Sequence, residues 1–256
     1  MSEHGVIRTI VAPNPGPFTL DGTRTYVIGQ RTVIDPGPAI DEHVDRILSA
    51  APGLRWIFIT HRHGDHAPAA AELKRRSGAR VLAPPSVLDE GIVDVRLRDG
   101  ERFDIAGLSL EVIATPGHTN EHVCFLSSTG ELFTGDTILG EGTTAIFPPD
   151  GRMSDYLASL EKLRARQPRA IYPGHGPIRE DAETWITAYI EHRHMREHQI
   201  LDGIAAGVRT ISALRERIYP KLDERLVQAA ELQIEAHLVH MVEKGIVKKN
   251  HDVYES

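Results

Sequence analysis

The sequence has one cysteine, Cys124, which excludes an internal disulfide framework and fits a reducing compartment. It has no apolar run near the length of a membrane span. Its first residues, MSEHGVIRTIVAPNPGP, lack the basic-then-apolar build of a secretory leader. A soluble, cytoplasmic protein without membrane attachment is the expectation. There is also no basic excess: the formal charge is −7 and the pI about 6.0, unlike a chain coated for nucleic-acid binding. A local basic groove stays open. What remains is an ordinary globular composition of 256 residues, 41% hydrophobic and 25% charged. That is enough for one large domain, or one domain with a small appendage. Histidine stands out, at 14 residues.

Short β-branched runs closed by Gly or Pro, TRTYVIG and RTVIDPG, open the chain as strands. AIDEHVDRILSA has helical spacing, and APAAAELKRRSG is a helix stopped by Gly78. WIFIT, ARVLAP, ERFDIAG, LSLEVIATPG, HVCFLSS, ELFTGD and AIYPGHG give further strands, with a helix in SDYLASLEKLRAR. Strands alternating with sparse helices indicate a mixed α/β domain. From about Asp181 the pattern becomes helical, with one long helix ended by Gly203 or Gly207. Helix, helix and a short strand pair follow, the order of a winged-helix module. The boundary is set near Leu201, giving domains 1–200 and 201–256.

HRHGDH places His61, His63, Asp65 and His66 at the mouth of the WIFIT strand, on a turn opened by Gly64. Imidazole nitrogen and carboxylate oxygen are the ligands that borderline cations such as Zn²⁺ take. His118 in TPGHT, Asp136 in TGDT and His175 in YPGHG each follow an apolar β-run and a glycine. Each therefore emerges where loops carry function. Four strand ends offering His or Asp make a far stronger signal than any one of them. His61, His63 and His118 are assigned to one ion, and Asp65, His66 and His175 to a second. Asp136 bridges the two, roughly 3.5–4 Å apart, with a shared hydroxide as the nucleophile. Asp65 also takes a proton from that water or orients it. Two Zn²⁺ per chain are expected, and the mixed ligand set also admits Mn²⁺ or Fe²⁺.

THRHGDH, PGHT, TGDT and PGHG, in that order, resemble the metallo-β-lactamase fold superfamily. The resemblance implies a four-layer αβ/βα sandwich, α/β (α+β) in class, with the metals at one edge of the two sheets. APNPGPFTLDGTRTYVIG, GDTILGEGTTAIF, IYPGHGPI and HRHMREHQIL, with the helical tail, are similar to the β-lactamase-like protein 2 group. That group implies a single-strand-specific endoribonuclease, whereas fungal relatives with the same layout imply a thioesterase acting on acyl-carrier proteins. A glyoxalase II-type thioesterase shares the ligand set but not the tail. On resemblance the lean is to single-stranded RNA, with a thioester or ester hydrolase as the alternative and a non-enzymatic nucleic-acid scaffold third.

Other residues carry weaker expectations. Glu141, Thr143 and Thr144 either line a substrate cleft or form a hydrogen-bonded turn. Arg193 and Arg196 on the long helix are candidates for an anionic substrate, or are simply exposed. His122 either orients a ligand or is structural, and His192, His194 and His198 read as a solvated or interface face. Cys124 reads as core packing, and Arg24 stands where Asn is expected. Balanced charge in the tail argues against duplex DNA. KGIVKKN leaves RNA contact open, and the tail could also mediate oligomerisation.

Overall fold

The computed structural model describes residues 7–105 and 107–255. Met1 to Val6, on which part of the leader reading rests, lie outside the described residues. So do Ala106 of ERFDIAG and Ser256. The chain forms two compact units. The first comprises the described residues up to Thr115, with Glu121–Thr143 and Arg166–Glu183; the second comprises Pro116–Asn120, Thr144–Ala165 and the chain from Thr184.

In the first unit, β1 (Ile7–Val11), β2 (Arg24–Ile28), β3 (Thr32–Ile34), β4 (Trp56–Phe58), β5 (Arg80–Ala83) and β6 (Val95–Arg96) form one sheet in that order. β1 to β3 pair antiparallel and β3 to β6 parallel. The β3–β4 and β4–β5 connections carry α1 (Asp41–Ala50) and α2 (Ala69–Ser77). The second sheet holds β7 (Arg102–Ile105), β8 (Leu108–Ala114), β9 (Val123–Ser127), β10 (Glu131–Gly135) and β11 (Ala170–Pro173). It is antiparallel except for the β10–β11 pair.

Both faces of the first sheet's central strands are covered, so β3 and β4 are short runs with little exposed. The helix side buries Val27, Val33, Ile57 and Val81 against Val44, Ile47, Ala70 and Leu73. The other side meets the second sheet through Tyr26, Ile28, Phe58 and Leu82 against Leu110, Val112, Phe125 and Phe133. Phe58 and Phe125 meet edge-on, with ring centroids 5.4 Å apart. Each such side chain contributes about 1.5–3 kcal/mol by leaving water, and Phe58→Ala would cost about 3–5 kcal/mol. Gly78 ends α2 with φ +71°, its N–H donating to the Lys74 carbonyl. The two-residue strand β6 has no pattern in the sequence long enough to announce it.

The second unit contains α3 (Met153–Ala165), nearly all of α4 (Ala182–Ala205), α5 (Ile211–Ile218), α6 (Val227–Glu243) and the pair β12 (Lys248–Asn250) and β13 (Val253–Glu255). The helix, helix and strand-pair order expected of the tail is present. The position near Leu201 falls inside α4. Ile200 and Ile204 of that helix share a core with Leu214, Ile234, Leu238 and Tyr254, so its last turns belong with the tail's core. Gly203 does not end α4. A Cβ there would lie 2.6 Å from Leu214 Cδ2, so the glycine admits α5 at close range. Among the described residues no helix is long and apolar enough to cross a membrane.

Candidate metal centre

Strand direction gathers the candidate ligands. β3 and β4 are parallel neighbours, so Asp35 and Thr60–His61, which follow them, leave at one edge. β10 and β11 are also parallel, so Asp136 and His175 leave side by side. β8 lies two antiparallel steps from β10 and therefore ends at the same edge as β10. The turn Pro116–Asn120, with His118, starts from that end. Carboxyl ends of parallel strands are where open sheets carry their sites.

Four donors of the first unit converge. His66 Nε2 lies 3.2 Å from Asp136 Oδ1 and 3.5 Å from Asp65 Oδ2. His175 Nε2 lies 3.3 Å from Asp136 Oδ1, 3.1 Å from Asp65 Oδ2 and 3.3 Å from His66 Nε2. Donors held about 2.0–2.1 Å from a tetrahedral ion are separated by roughly 3.3 Å. Five edges of the Asp65–His66–Asp136–His175 group fall within 0.2 Å of that value. This donor set fits a divalent cation of the zinc type, and the group is compact enough to hold one. The other oxygen of Asp136, Oδ2, lies 3.9 Å from His61 Nε2. His63 is the next ring, with its centroid 4.6 Å from that of His61. The two oxygens of Asp136 thus face two histidine sets, as a bridging carboxylate requires.

Burial and charge act in opposition here. Burial pushes His175 down, but the charge of Asp136 and hydrogen bonds to Asp136 and Asp65 prevail and raise it to about 9. His66 is likewise raised, against its burial, by Asp136 and Asp35. Burial pushes the Asp65 carboxyl up, yet His175 and His66 bring it down to about 2. Two ionised carboxylates therefore sit in a nearly closed site, which favours a cation.

Asp35, in RTVIDPG, was not singled out in the sequence, and it orients both histidine sets. Its Oδ2 accepts from His66 Nδ1–H at 2.9 Å and from the Thr60 hydroxyl at 2.8 Å, while Oδ1 accepts from the Thr60 N–H. With its proton committed to Asp35, the Thr60 hydroxyl accepts from His61 Nδ1–H at 2.9 Å. Both imidazoles therefore present an Nε2 lone pair to the centre. Asp35 has φ +49°, a left-handed conformation that Asp adopts more readily than most residues. The available signal was an Asp before Pro-Gly at a strand end.

His122 also orients the centre. Its Nε2 accepts from the Asp136 N–H at 3.2 Å, so Nδ1–H donates to Thr115 or Thr137. Its ring stacks on that of His61, with centroids 4.8 Å apart. The glycines in TGDT and PGHG have a steric reason. A Cβ on Gly135 would lie 2.5 Å from Thr60 Oγ1, and one on Gly174 would lie 2.6 Å from Asp136 Oδ1. The Arg24 N–H donates to the Gly174 carbonyl, while its guanidinium pairs with Asp21.

His118 lies in the second unit, where its Nδ1–H donates to the Ala145 carbonyl at 2.8 Å. That bond leaves Nε2 as its lone-pair donor. Glu141 and Thr143 are exposed on a loop tied to the His175 turn by Gly140 N–H donating to the His175 carbonyl. Thr144 is buried, and its carbonyl accepts from Arg193 at 2.6 Å. Arg193 and Arg196 are not solvent-facing cations. Arg193 is 1% exposed, with its guanidinium over the Tyr156 ring, and Arg196 lies over Tyr219. Desolvated guanidiniums gain from aromatic faces, which explains their burial. His194 and His198 are exposed, and Cys124 is buried in β9.

Comparison with known proteins agrees with this geometry. Residues 19–175 match the metallo-beta-lactamase superfamily, and residues 210–255 match the beta-lactamase associated winged helix domain. A beta-lactamase-like protein 2 homolog of Caenorhabditis elegans is 32% identical over 96% of this chain and 87% of its own length. An atrochrysone carboxyl ACP thioesterase of Cryptosporiopsis sp. (strain 8999) is 32% identical over 78% of this chain and 62% of its own. The crystal structure of a beta-lactamase domain protein from Burkholderia ambifaria has the same fold, with a TM-score of 0.84 at 19% identity, covering 97% of this chain and 91% of that one. With its ligand motifs inside a match that spans more than half its length, the chain belongs to the metallo-beta-lactamase superfamily, generally metal-dependent hydrolases, and carries that superfamily's associated winged helix domain.

Proposed function

We propose that the protein is a dinuclear zinc hydrolase that cleaves acyl thioesters. The observation carrying the metal reading is the near-tetrahedral group of Asp65, His66, Asp136 and His175, with the second oxygen of Asp136 turned toward His61. Asp65, His66 and His175 would hold one ion, and His61, His63 and His118 the other, with Asp136 offering an oxygen to each. When bound, the cations supply Lewis-acid chemistry and activate water near neutral pH. Asp65 is the more open of the two carboxylates, its side chain 25% exposed against 12% for Asp136. We assign it the orientation of the attacking water and acceptance of its proton.

A carbonyl substrate is favoured by the named activity of the thioesterase relatives. It is favoured too by the withdrawal of Arg193 and Arg196 from solvent, which removes two cations that a phosphodiester would have used. Single-stranded RNA is the second reading, supported by Lys248 and Lys249, both exposed on β12. The deciding experiment sets zinc-loaded protein against acyl thioesters and a labelled single-stranded RNA, with Asp65→Ala as control. Thioester turnover lost in the variant is the expected result. RNA cleavage lost in the variant, without thioester turnover, would replace the thioester reading with the second one.

A further inference from the structure

The segment between β1 and β2, residues 12–23, is folded back on itself by its own hydrogen bonds. Gly16 N–H donates to the Leu20 carbonyl, Gly22 N–H to the Thr19 carbonyl and Ala12 N–H to the Thr23 carbonyl. Asn14, half-buried, ties the two halves together. Its Oδ1 accepts from the Thr23 N–H at 2.9 Å, and its Nδ2–H donates to the Thr23 hydroxyl oxygen at 3.0 Å. Its carbonyl accepts from the Thr19 hydroxyl at 2.6 Å. Gly22 sits at φ +132°, where a Cβ would stand 2.2 Å from the Ala12 carbonyl oxygen. The turn is thus closely constrained, and Thr23 at its end is fully buried.

Two of the candidate ligands rest on the end of this segment. The Thr23 hydroxyl donates to Asp65 Oδ2 at 3.3 Å. Beside it, the Gly22 carbonyl accepts from His175 Nδ1–H at 3.4 Å, because a carbonyl oxygen can only accept. His175 therefore carries a proton on Nδ1 and turns Nε2 to the centre. The bond from Asn14 occupies a lone pair of the Thr23 oxygen, which leaves the Thr23 proton for Asp65. The contacts of Asp65 with Thr23, His66 and His175 all fall on Oδ2, so Oδ1 is the oxygen left to water.

We infer that Asn14 and Thr23 form a clamp that positions Asp65 for the reaction. With the Gly22 carbonyl, the clamp sets the cation affinity of the Asp65, His66 and His175 group separately from that of His61, His63 and His118. The inference rests on the dinuclear hydrolase reading above. Asp35 bonds to His66 directly and to His61 through Thr60, so it serves both histidine sets, whereas the clamp touches donors of one set alone. Held at Oδ2, the Asp65 carboxylate does not exchange its two oxygens, and the same oxygen faces the attacking water at every turnover. Asn14 and Thr23 are positioning residues. Partners behind a metal-ligating side chain are worth about 10–100-fold in metal affinity or activity.

The test removes the hydroxyl and keeps the shape of the side chain. Zinc affinity of the full chain is measured by competition with a chelator, beside kcat and KM on an acyl thioester. Wild type is compared with Thr23→Val, Thr23→Ser and Asn14→Ala, each checked for fold by circular dichroism. Thr23→Val should weaken one of the two zinc steps about 10–100-fold and leave the other unchanged. It should lower kcat by a similar factor with KM unchanged, the pattern of an interaction that acts in the transition state. Thr23→Ser, which keeps the hydroxyl, should stay near wild type in both. Asn14→Ala, at the half-buried end of the clamp where folding is less at risk, should shift the same zinc step by a smaller factor. Equal weakening of both steps in Thr23→Val, no weakening of either, or an equal loss in Thr23→Ser would overturn the clamp. Absence of wild-type turnover on every thioester would overturn the substrate reading, while the zinc steps would still decide the clamp. A single zinc step in the wild type would overturn the dinuclear reading and the inference with it.

Discussion

His66 and His175 in the first unit and His192 and His237 in the second are all drawn out of bulk water, yet their proton affinities move in opposite directions. Around His66 and His175, Asp65, Asp136 and Asp35 outweigh burial, and both imidazoles are raised. On α4 and α6 burial prevails, and the guanidiniums of Arg193 and Arg196 add to it. His192 and His237 are each lowered to about 4. Neither ring nitrogen of His237 has a hydrogen-bond partner, and Glu197 Oε1 lies 3.8 Å away. Burial alone does not make histidine a ligand. Carboxylates within about 3.5 Å, and a partner fixing the far ring nitrogen, separate a metal centre from a helix interface that holds its imidazoles neutral.

The strongest way to break this contrast is to remove Asp136, the carboxylate proposed to be shared. Asp136→Ala should lower turnover on the order of 10³-fold or more and, on the dinuclear reading proposed above, reduce bound metal from two ions toward none. Both are read by metal analysis beside the thioester assay. A variant that kept two ions and near-normal rates would show that Asp136 bridges nothing. Asp35→Ala sharpens the same side. It frees His66 and the Thr60 hydroxyl together, so zinc affinity should fall about 10–100-fold in competition with a chelator, with the fold intact by circular dichroism.

On the other side of the comparison, His237 links stability to pH. Its pKa is about 4 in the folded state against 6.5 as the ordinary value, so the unfolded chain binds more protons between those limits. Its contribution is complete above pH 6.5 and is lost as pH falls toward 4, on the order of 3 kcal/mol at most. Urea unfolding from pH 7.5 down to 4.5 should show His237→Leu with a pH slope shallower by up to about one proton. An unchanged slope would locate the linkage elsewhere, for instance at His192. The smallest effect concerns the winged helix alone. Thr210 caps α5 by accepting from the Ala213 N–H, and Thr210→Ala should cost about 1 kcal/mol by the same unfolding measurement, with zinc content unchanged.

Much of the candidate centre was legible because its candidate ligands cluster along the chain or recur in one local context. HRHGDH is a single turn, and TPGHT, TGDT and YPGHG repeat the pattern of strand, glycine and ligand. Asp35 was not legible in this way. It lies 31 residues before His66, and nothing local to VIDPG indicates that its two oxygens would meet Thr60 and His66. Arg193 and Arg196 misled for the related reason that a helical stretch with two arginines carries no sign of the Tyr156 and Tyr219 rings awaiting them. The boundary expected near Leu201 rested on a change of composition, whereas Ile200 and Ile204 take part in the winged-helix core through contacts made far along the chain.

The sequence by itself determined the elements, the mixed α/β class and the candidate ligands, since propensity, hydrophobic period and ligand chemistry are properties of a few neighbouring residues. Tertiary structure alone decided which oxygen of Asp136 faces which histidines, which tautomer His61 and His66 adopt, and that one aspartate governs both. Those outcomes depend on how residues distant in sequence approach within hydrogen-bonding or van der Waals distance, and only the packing of sheets and helices fixes that.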